Sequence, residues 1–279
     1  MASRILDFHT HPWRPEDLAP ATVAFIRSIS PAVRDHGERL HDPVYAADVL
    51  RAQGVERAVM LAEHCPRTSG NVRTETVLEL CRASGDFFLP FGSVDPNTDP
   101  DPAGLLRAYV DAGIRGLKLY PSYQFFYPND PRAYALYEIC QDAGLPVLFH
   151  IGSSVIPGTR LRYCDPLHLD DLAVDFPDLS VVMAHGGRGF WYDACAFLAL
   201  HHRNFHIDLT GLVPSRLPEH FPQLERLAPK LVFGSDWPAM PRTPADNATV
   251  IAGLLPAAAE PILYGNAARL LGLAGTSPA

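Results

Sequence analysis

The 279 residues are 47% apolar, ample for the core of one large α/β domain, and carry a formal net charge of −8, which argues against nucleic acid or an anionic membrane as partner. No basic n-region followed by an apolar h-region opens the sequence, and no apolar run approaches membrane-spanning length. A cytoplasmic protein acting on a small molecule is therefore expected. The five cysteines (Cys65, Cys81, Cys140, Cys164 and Cys195) are odd in number and free of C-x-x-C pairs, so they read as reduced thiols, mostly buried.

Short apolar runs alternate with longer amphipathic ones along the whole chain. The first predicted strand, residues 4–9, leads into His9-Thr10-His11. With a side-chain period of 2, both histidines project from one face, which is half of a transition-metal site. Asp7 shares that face but lies too deep to be a ligand. Residues 12–41 read as a long loop containing Trp13. Asp42-Pro43 then opens a helix that stops at Gly54, with an acceptor at N-cap and proline at N1. The second strand, 56–62, runs to Glu63 and His64, and His64 is a candidate to line a pocket. A helix over 72–84 and a third strand over 87–93 follow, then a helix from Asp101-Pro102 to Gly113. The fourth strand, 114–120, puts Lys118 and Tyr120 in one phase. The loop 121–130 behind it is crowded with Tyr123, Phe125, Phe126 and Tyr127, candidates to wall a pocket for a planar or apolar substrate, as are Trp13 and Trp191.

Pro131 opens the next helix, which ends at Gly144, and the fifth strand, 146–150, ends in His150. Asp165-Pro166 opens a helix ending near Pro177. The sixth strand, 179–184, runs into His185-Gly186-Gly187-Arg188, where Arg188 is placed to bind a substrate carboxylate with its planar fork. A helix over 191–201 precedes the seventh strand, 204–209, in which His206 and Asp208 share a phase and are expected to form a buried pair. The eighth strand, 230–235, leads to Asp236. Helices are expected over 217–228, 244–254 and 264–272, and Ala274 to Ala279 are expected to be disordered.

Eight strands, each followed by a helix, predict a single-domain (β/α)₈ TIM barrel over residues 1–279. No glycine-rich phosphate loop follows the first strand, which weakens the competing doubly wound sheet. Barrel enzymes work at the C-terminal ends of their strands. Five of those ends here deliver four histidines, a lysine and a carboxylate to one rim, and that convergence points to a metal site.

The order His-x-His, Lys, His, His, Asp on strands 1, 4, 5, 6 and 8 resembles the amidohydrolase superfamily. The H-G-G after strand 6, the G-S-D-W-P at strand 8 and the closing run Ile262 to Leu271 resemble its amidohydrolase-related branch, which includes aminocarboxymuconate-semialdehyde decarboxylase-like enzymes. The resemblance covers essentially the whole chain. It implies that His9, His11, His150 and Asp236 hold one divalent metal, most simply Zn²⁺, and imidazole and carboxylate donors suit that ion. It implies further that Asp236 is the general base and that His185 is a non-ligand bonding the scissile carbonyl. Lys118 stands where binuclear members carry a carboxylated lysine bridging a second metal. Unmodified beside a divalent ion, it must be deprotonated, paired with an acid or farther off; one metal is the expectation.

Hydrolysis of an amide, lactone or related carbonyl bond is the favoured reaction, because several decarboxylases of the branch have glutamate where this chain has His9. Substrate-binding roles are expected for Arg188, Tyr120, Tyr123 and Trp13. Metal-dependent non-oxidative decarboxylation of an unsaturated or aromatic acid is the alternative, and a catalytically silent metal-binding protein the second. Barrels of this type often pair, so a homodimer is expected.

Overall fold

A computed structural model of the chain describes residues 4–273. The segment 274–279 lies outside the described residues, and with it the expectation of disorder there. Among the described residues ten strands form: β1 Ile5–Thr10, β2 Val55–Leu61, β3 Glu63–Cys65, β4 Gly70–Val72, β5 Phe88–Gly92, β6 Gly116–Leu119, β7 Val147–Gly152, β8 Val181–Arg188, β9 Phe205–Asp208 and β10 Leu231–Val232. Eight of them make one sheet in the order β1-β2-β5-β6-β7-β8-β9-β10, in which neighbouring strands pair in parallel. Backbone bonds from Phe8 N to Phe233 O, from His11 N to Trp237 O and from Asp236 N to His9 O bring its two edges together, each at 2.8 Å. The result is the expected (β/α)₈ barrel.

The helices begin where local chemistry says they should. Asp42, Asp101, Asp130 and Asp165 each accept a bond from a backbone N–H one to three residues inside the helix, with proline occupying the first turn. Two of the buried apolar clusters are large. One packs the helices on the outside of the sheet. The other fills the barrel with Leu6, Phe8, Val59, Phe91, Leu148 and Val182, and takes in Ala267, Ala268 and Leu271 from the C-terminal segment. That segment closes the end of the barrel opposite the histidines. No single helix among the described residues is long and apolar enough to cross a membrane.

Several elements differ from the sequence reading. The stretch 12–41 is largely helical, with helices at Pro20–Ile29 and Pro31–His36 flanked by 3-10 turns. The expected helix over 217–228 is two short turns, Leu217–His220 and Leu224–Leu227. Pro222 stands between them and cannot donate the bond that would join them. Residues 264–272 begin instead at Pro261, as a π-helical turn running into Asn266–Leu270. The antiparallel hairpin of β3 and β4 was not expected at all.

Candidate metal centre

Residues Leu6 and Phe8 point into the barrel's apolar filling, so strict alternation would turn His9 away from it. An irregularity in β1 breaks that alternation: Asp7 pairs with Ala58 but Thr10 with Met60, three residues against two. Both His9 and His11 consequently line a cleft at the C-terminal rim, and a ligand atom from each lies within 4.8 Å of the others and of one from Asp236. One carboxylate oxygen of Asp236 is 3.8 Å from His9 Nε2 and 3.4 Å from His11 Nε2. Asp236 itself has φ +60, an unusual conformation for a non-glycine residue and one that accompanies functional positions.

Behind the rim the polar groups are tied together. His9 Nδ1–H donates to Asp208 Oδ2 at 2.6 Å, which leaves Nε2 with its lone pair toward Asp236. Asp208 also accepts from Thr210 N and Thr210 Oγ1. The expected His206–Asp208 pair does not form, and His206 Nδ1 has no partner. The carboxylate instead reaches a histidine 199 positions away. Asp7 sits deeper, as expected, accepting from Ser235 Oγ, Ser235 N and His9 N, and burial raises its carboxyl to about 7 against those bonds. No side chain is tolerated at Gly234: a Cβ there would collide with Thr210 Oγ1 and Asp208 Oδ1 and sit 2.9 Å from His9 Cβ.

His150 lies outside the compact triad, but its Nε2 is buried in the cleft without a partner. Its Nδ1 is 3.0 Å from His185 Nε2, and His185 Nδ1 is 2.9 Å from Thr210 O. Both nitrogens of His185 are thus occupied by the protein, leaving no N–H directed at a substrate. Burial pulls all four rings below their ordinary pKa, His9 down to about 3, with Lys118's charge adding to each. Neutral imidazoles with free lone pairs are what a divalent cation requires. The donor set and the orphaned His150 nitrogen therefore fit such an ion.

Lys118 is fully buried, lines the cleft and has no hydrogen-bond partner at Nζ, which lies 4.8 Å from the centre of the Tyr120 ring. Burial lowers its pKa to about 8, opposed by Asp208, Asp236 and Glu63. Glu63, not among the candidate site residues above, lines the cleft with Oε2 3.7 Å from His11 Nδ1, and burial raises its pKa. Its neighbour His64 instead turns outward to Asn71 and Asp99. The only clue to the exchange was the alternation of the strand across residues 63 and 64.

The space between the cleft walls, with the open solvent at its mouth included, is about 820 Å³. Trp13, Leu18, Phe25, Ile26, Val155 and Ile156 give it an apolar lining, and Arg188 is among the residues that line it. The Arg188 guanidinium donates to Ser153 O, with further N–H groups to spare. Tyr120 and Tyr123 line the wall with their rings, while their hydroxyls bond Ala62 O and Ser154 Oγ. Phe125, Phe126, Tyr127 and Trp191 are not among the lining residues. All five cysteines are buried and free.

The amidohydrolase family model matches residues 6–273. No curated protein matches. Among solved structures, an uncharacterized TIM-barrel protein from Bordetella bronchiseptica is 27% identical with a TM-score of 0.79, over 98% of this chain and 100% of that one. A 2,6-dihydroxybenzoate decarboxylase from Rhizobium is 18% identical with a TM-score of 0.69, over 99% of this chain and 100% of that one. A probable 2-pyrone-4,6-dicarboxylic acid hydrolase from Acinetobacter baumannii, with citric acid bound, is 17% identical with a TM-score of 0.61, over 96% and 99%.

Proposed function

This chain belongs to the amidohydrolase family, and from that premise we propose that it is a metal-dependent hydrolase of an amide, lactone or related carbonyl bond in a small carboxylate-bearing or aromatic substrate. The observation that carries the reading is the meeting of His9, His11 and Asp236 in one cleft. These three residues, with His150 through its bare Nε2, would hold one divalent ion, and the nitrogen and oxygen donors suit zinc. When bound, the ion supplies a Lewis acid and makes water a usable nucleophile near neutral pH.

The protein's own groups supply the rest. Asp236 takes the proton of the attacking water and returns it to the leaving group. Arg188 holds a substrate carboxylate with its fork, and Lys118, its charge balanced by Asp208, Asp236 and Glu63, contributes a second cation on the cleft wall. Trp13 and Tyr123 pack against the substrate's flat or apolar part and keep bulk water out.

Metal analysis of the purified protein, followed by turnover of lactones, amides and aromatic acids in ¹⁸O-water, tests this. About one equivalent of metal and solvent oxygen in the product are expected. Release of CO₂ without oxygen incorporation overturns hydrolysis in favour of decarboxylation, the activity of the Rhizobium relative. No bound metal and indifference to chelators overturn both.

A further inference from the structure

His185 was read from the sequence as a donor to substrate, yet both of its nitrogens are taken. We propose that His185 is a positioning residue that fixes the proton order of His150, so that the lone pair of His150 Nε2 is presented to the metal centre.

The order follows from which atoms carry protons. Thr210 O is a carbonyl and can only accept, so the 2.9 Å contact requires the proton on His185 Nδ1. A neutral imidazole has one N–H, so His185 Nε2 is bare and accepts. The only proton available to the 3.0 Å contact is then His150 Nδ1–H. That leaves His150 Nε2 bare, and it is the atom found buried in the cleft without a partner. One backbone carbonyl on the loop after β9 thus sets the tautomer of a ring on β7 through a ring on β8. No carboxylate bonds either ring to favour a charged form.

The backbone is built for this contact. His185 has φ +67 and is followed by Gly186 and Gly187, also at positive φ, which aims its ring across the rim. On the other side Gly211 follows Thr210, and a Cβ there would lie 3.1 Å from His185 Nδ1 and collide with Arg188 Nη1. A side chain at that position would displace the ring from its carbonyl.

The purpose of the relay rests on the metal-centre reading, but the proton order belongs to the metal-free protein and is measured there. Long-range ¹H–¹⁵N spectra of the metal-free protein, ring signals assigned with His150→Gln and His185→Gln, should show Nδ1 protonated and Nε2 bare in both residues. A proton on Nε2 of either ring overturns the proposal, whatever the enzyme hydrolyses. Zinc titration gives the second arm. His185→Phe removes the acceptor and should weaken zinc binding about 10- to 100-fold. His185→Gln can accept from His150 and donate to Thr210 O, and should restore most of that loss. Zinc affinity in His185→Phe within about threefold of the parent, with the His150 tautomer unchanged, overturns the relay. The expected tautomers in a protein that binds no metal would uphold the relay and overturn the function proposed above.

Discussion

The two sides of the rim are built on opposite principles. On the side of β1, β9 and β10, the buried carboxylates have partners: His9 bonds Asp208, Asp208 accepts twice from Thr210, and Asp7 accepts from Ser235. Toward β2 and β6, the fully buried Lys118 Nζ has no hydrogen bond, and His11 Nδ1, reaching over from the end of β1, has only the Glu63 carboxylate at 3.7 Å. A satisfied buried network rigidifies a site, whereas a buried polar atom without a partner costs stability. The first side is therefore a frame finished when the chain folds. The second holds a deficit that the protein's own groups leave open, and that is where the proposed substrate's recognition is to be sought.

Breaking the frame should do the most damage. Asp208→Ala strips the acceptor from three buried donors, and each unsatisfied group costs about 1–3 kcal/mol. A stability loss of about 3 kcal/mol or more in denaturant unfolding is expected, with metal affinity about 10- to 100-fold weaker by titration. A loss below about 1 kcal/mol would show that the frame is not held by this carboxylate. Gly234→Ala attacks the same frame by crowding. Overpacking of this kind costs about 1–3 kcal/mol, and the forced displacement of Thr210 and Asp208 should weaken metal binding as well. If stability falls but metal affinity holds, the frame does not set ligand geometry.

The open side should respond with the opposite sign. Lys118→Met replaces an unpartnered buried cation with an apolar chain of similar length. It should raise unfolding stability by about 1 kcal/mol or more while lowering turnover. The pH dependence gives an internal check. The folded pKa of Lys118 is lowered to about 8 by burial, from an ordinary 10.5, so between those values the unfolded chain binds the extra proton. Stability attributable to Lys118 is least below pH 8 and recovers as pH rises toward 10.5. In metal-free protein, the stability gain of Lys118→Met over the parent should therefore shrink across that interval. A gain independent of pH would mean that folding does not lower the pKa of Lys118 at all.

The same contrast explains what the sequence made legible. His9, His150, His185 and Asp236 each follow a short apolar run, and the helices behind the strands open on Asp-Pro, so both the strand ends and the helix starts are written locally. Partner choice is not. His206 and Asp208 are two apart and in phase, which suggested a pair, but Asp208 reaches His9 across the barrel because β9 and β1 both end at that rim. The irregularity in β1 that turns His9 into the cleft depends on its register with β2, which spacing within one strand does not encode. His185 was assigned from the resemblance, and only the position of Thr210 O shows that its protons are already committed. The helical 12–41 stretch was missed for a further reason. Pro20–Ile29 follows Ala19, which has no side chain to cap it, and the helix is held by packing of residues such as Ile26.

His64 offers the mildest test, because it stands next to Glu63 yet belongs to neither side of the rim. Its ring bridges Asn71 on β4 and Asp99 beyond β5, pinning the hairpin that carries Glu63. The bond to Asp99 raises the His64 pKa, and the same bond helps to lower that of Asp99. The sign follows. Stability from the charged histidine is fully present below its ordinary pKa of 6.5 and is lost as pH rises through the raised folded value. Below the ordinary range of Asp99 the pair is lost from the acid side instead. His64→Ala should accordingly cost about 1 kcal/mol near pH 5.5 and less at pH 9, measured by urea unfolding at each pH. Because His64 points away from the cleft, substrate affinity should change only as far as Glu63 moves with the hairpin. A large loss of turnover, with stability unaltered at both pH values, would return His64 to the site and extend the open side of the rim onto β3.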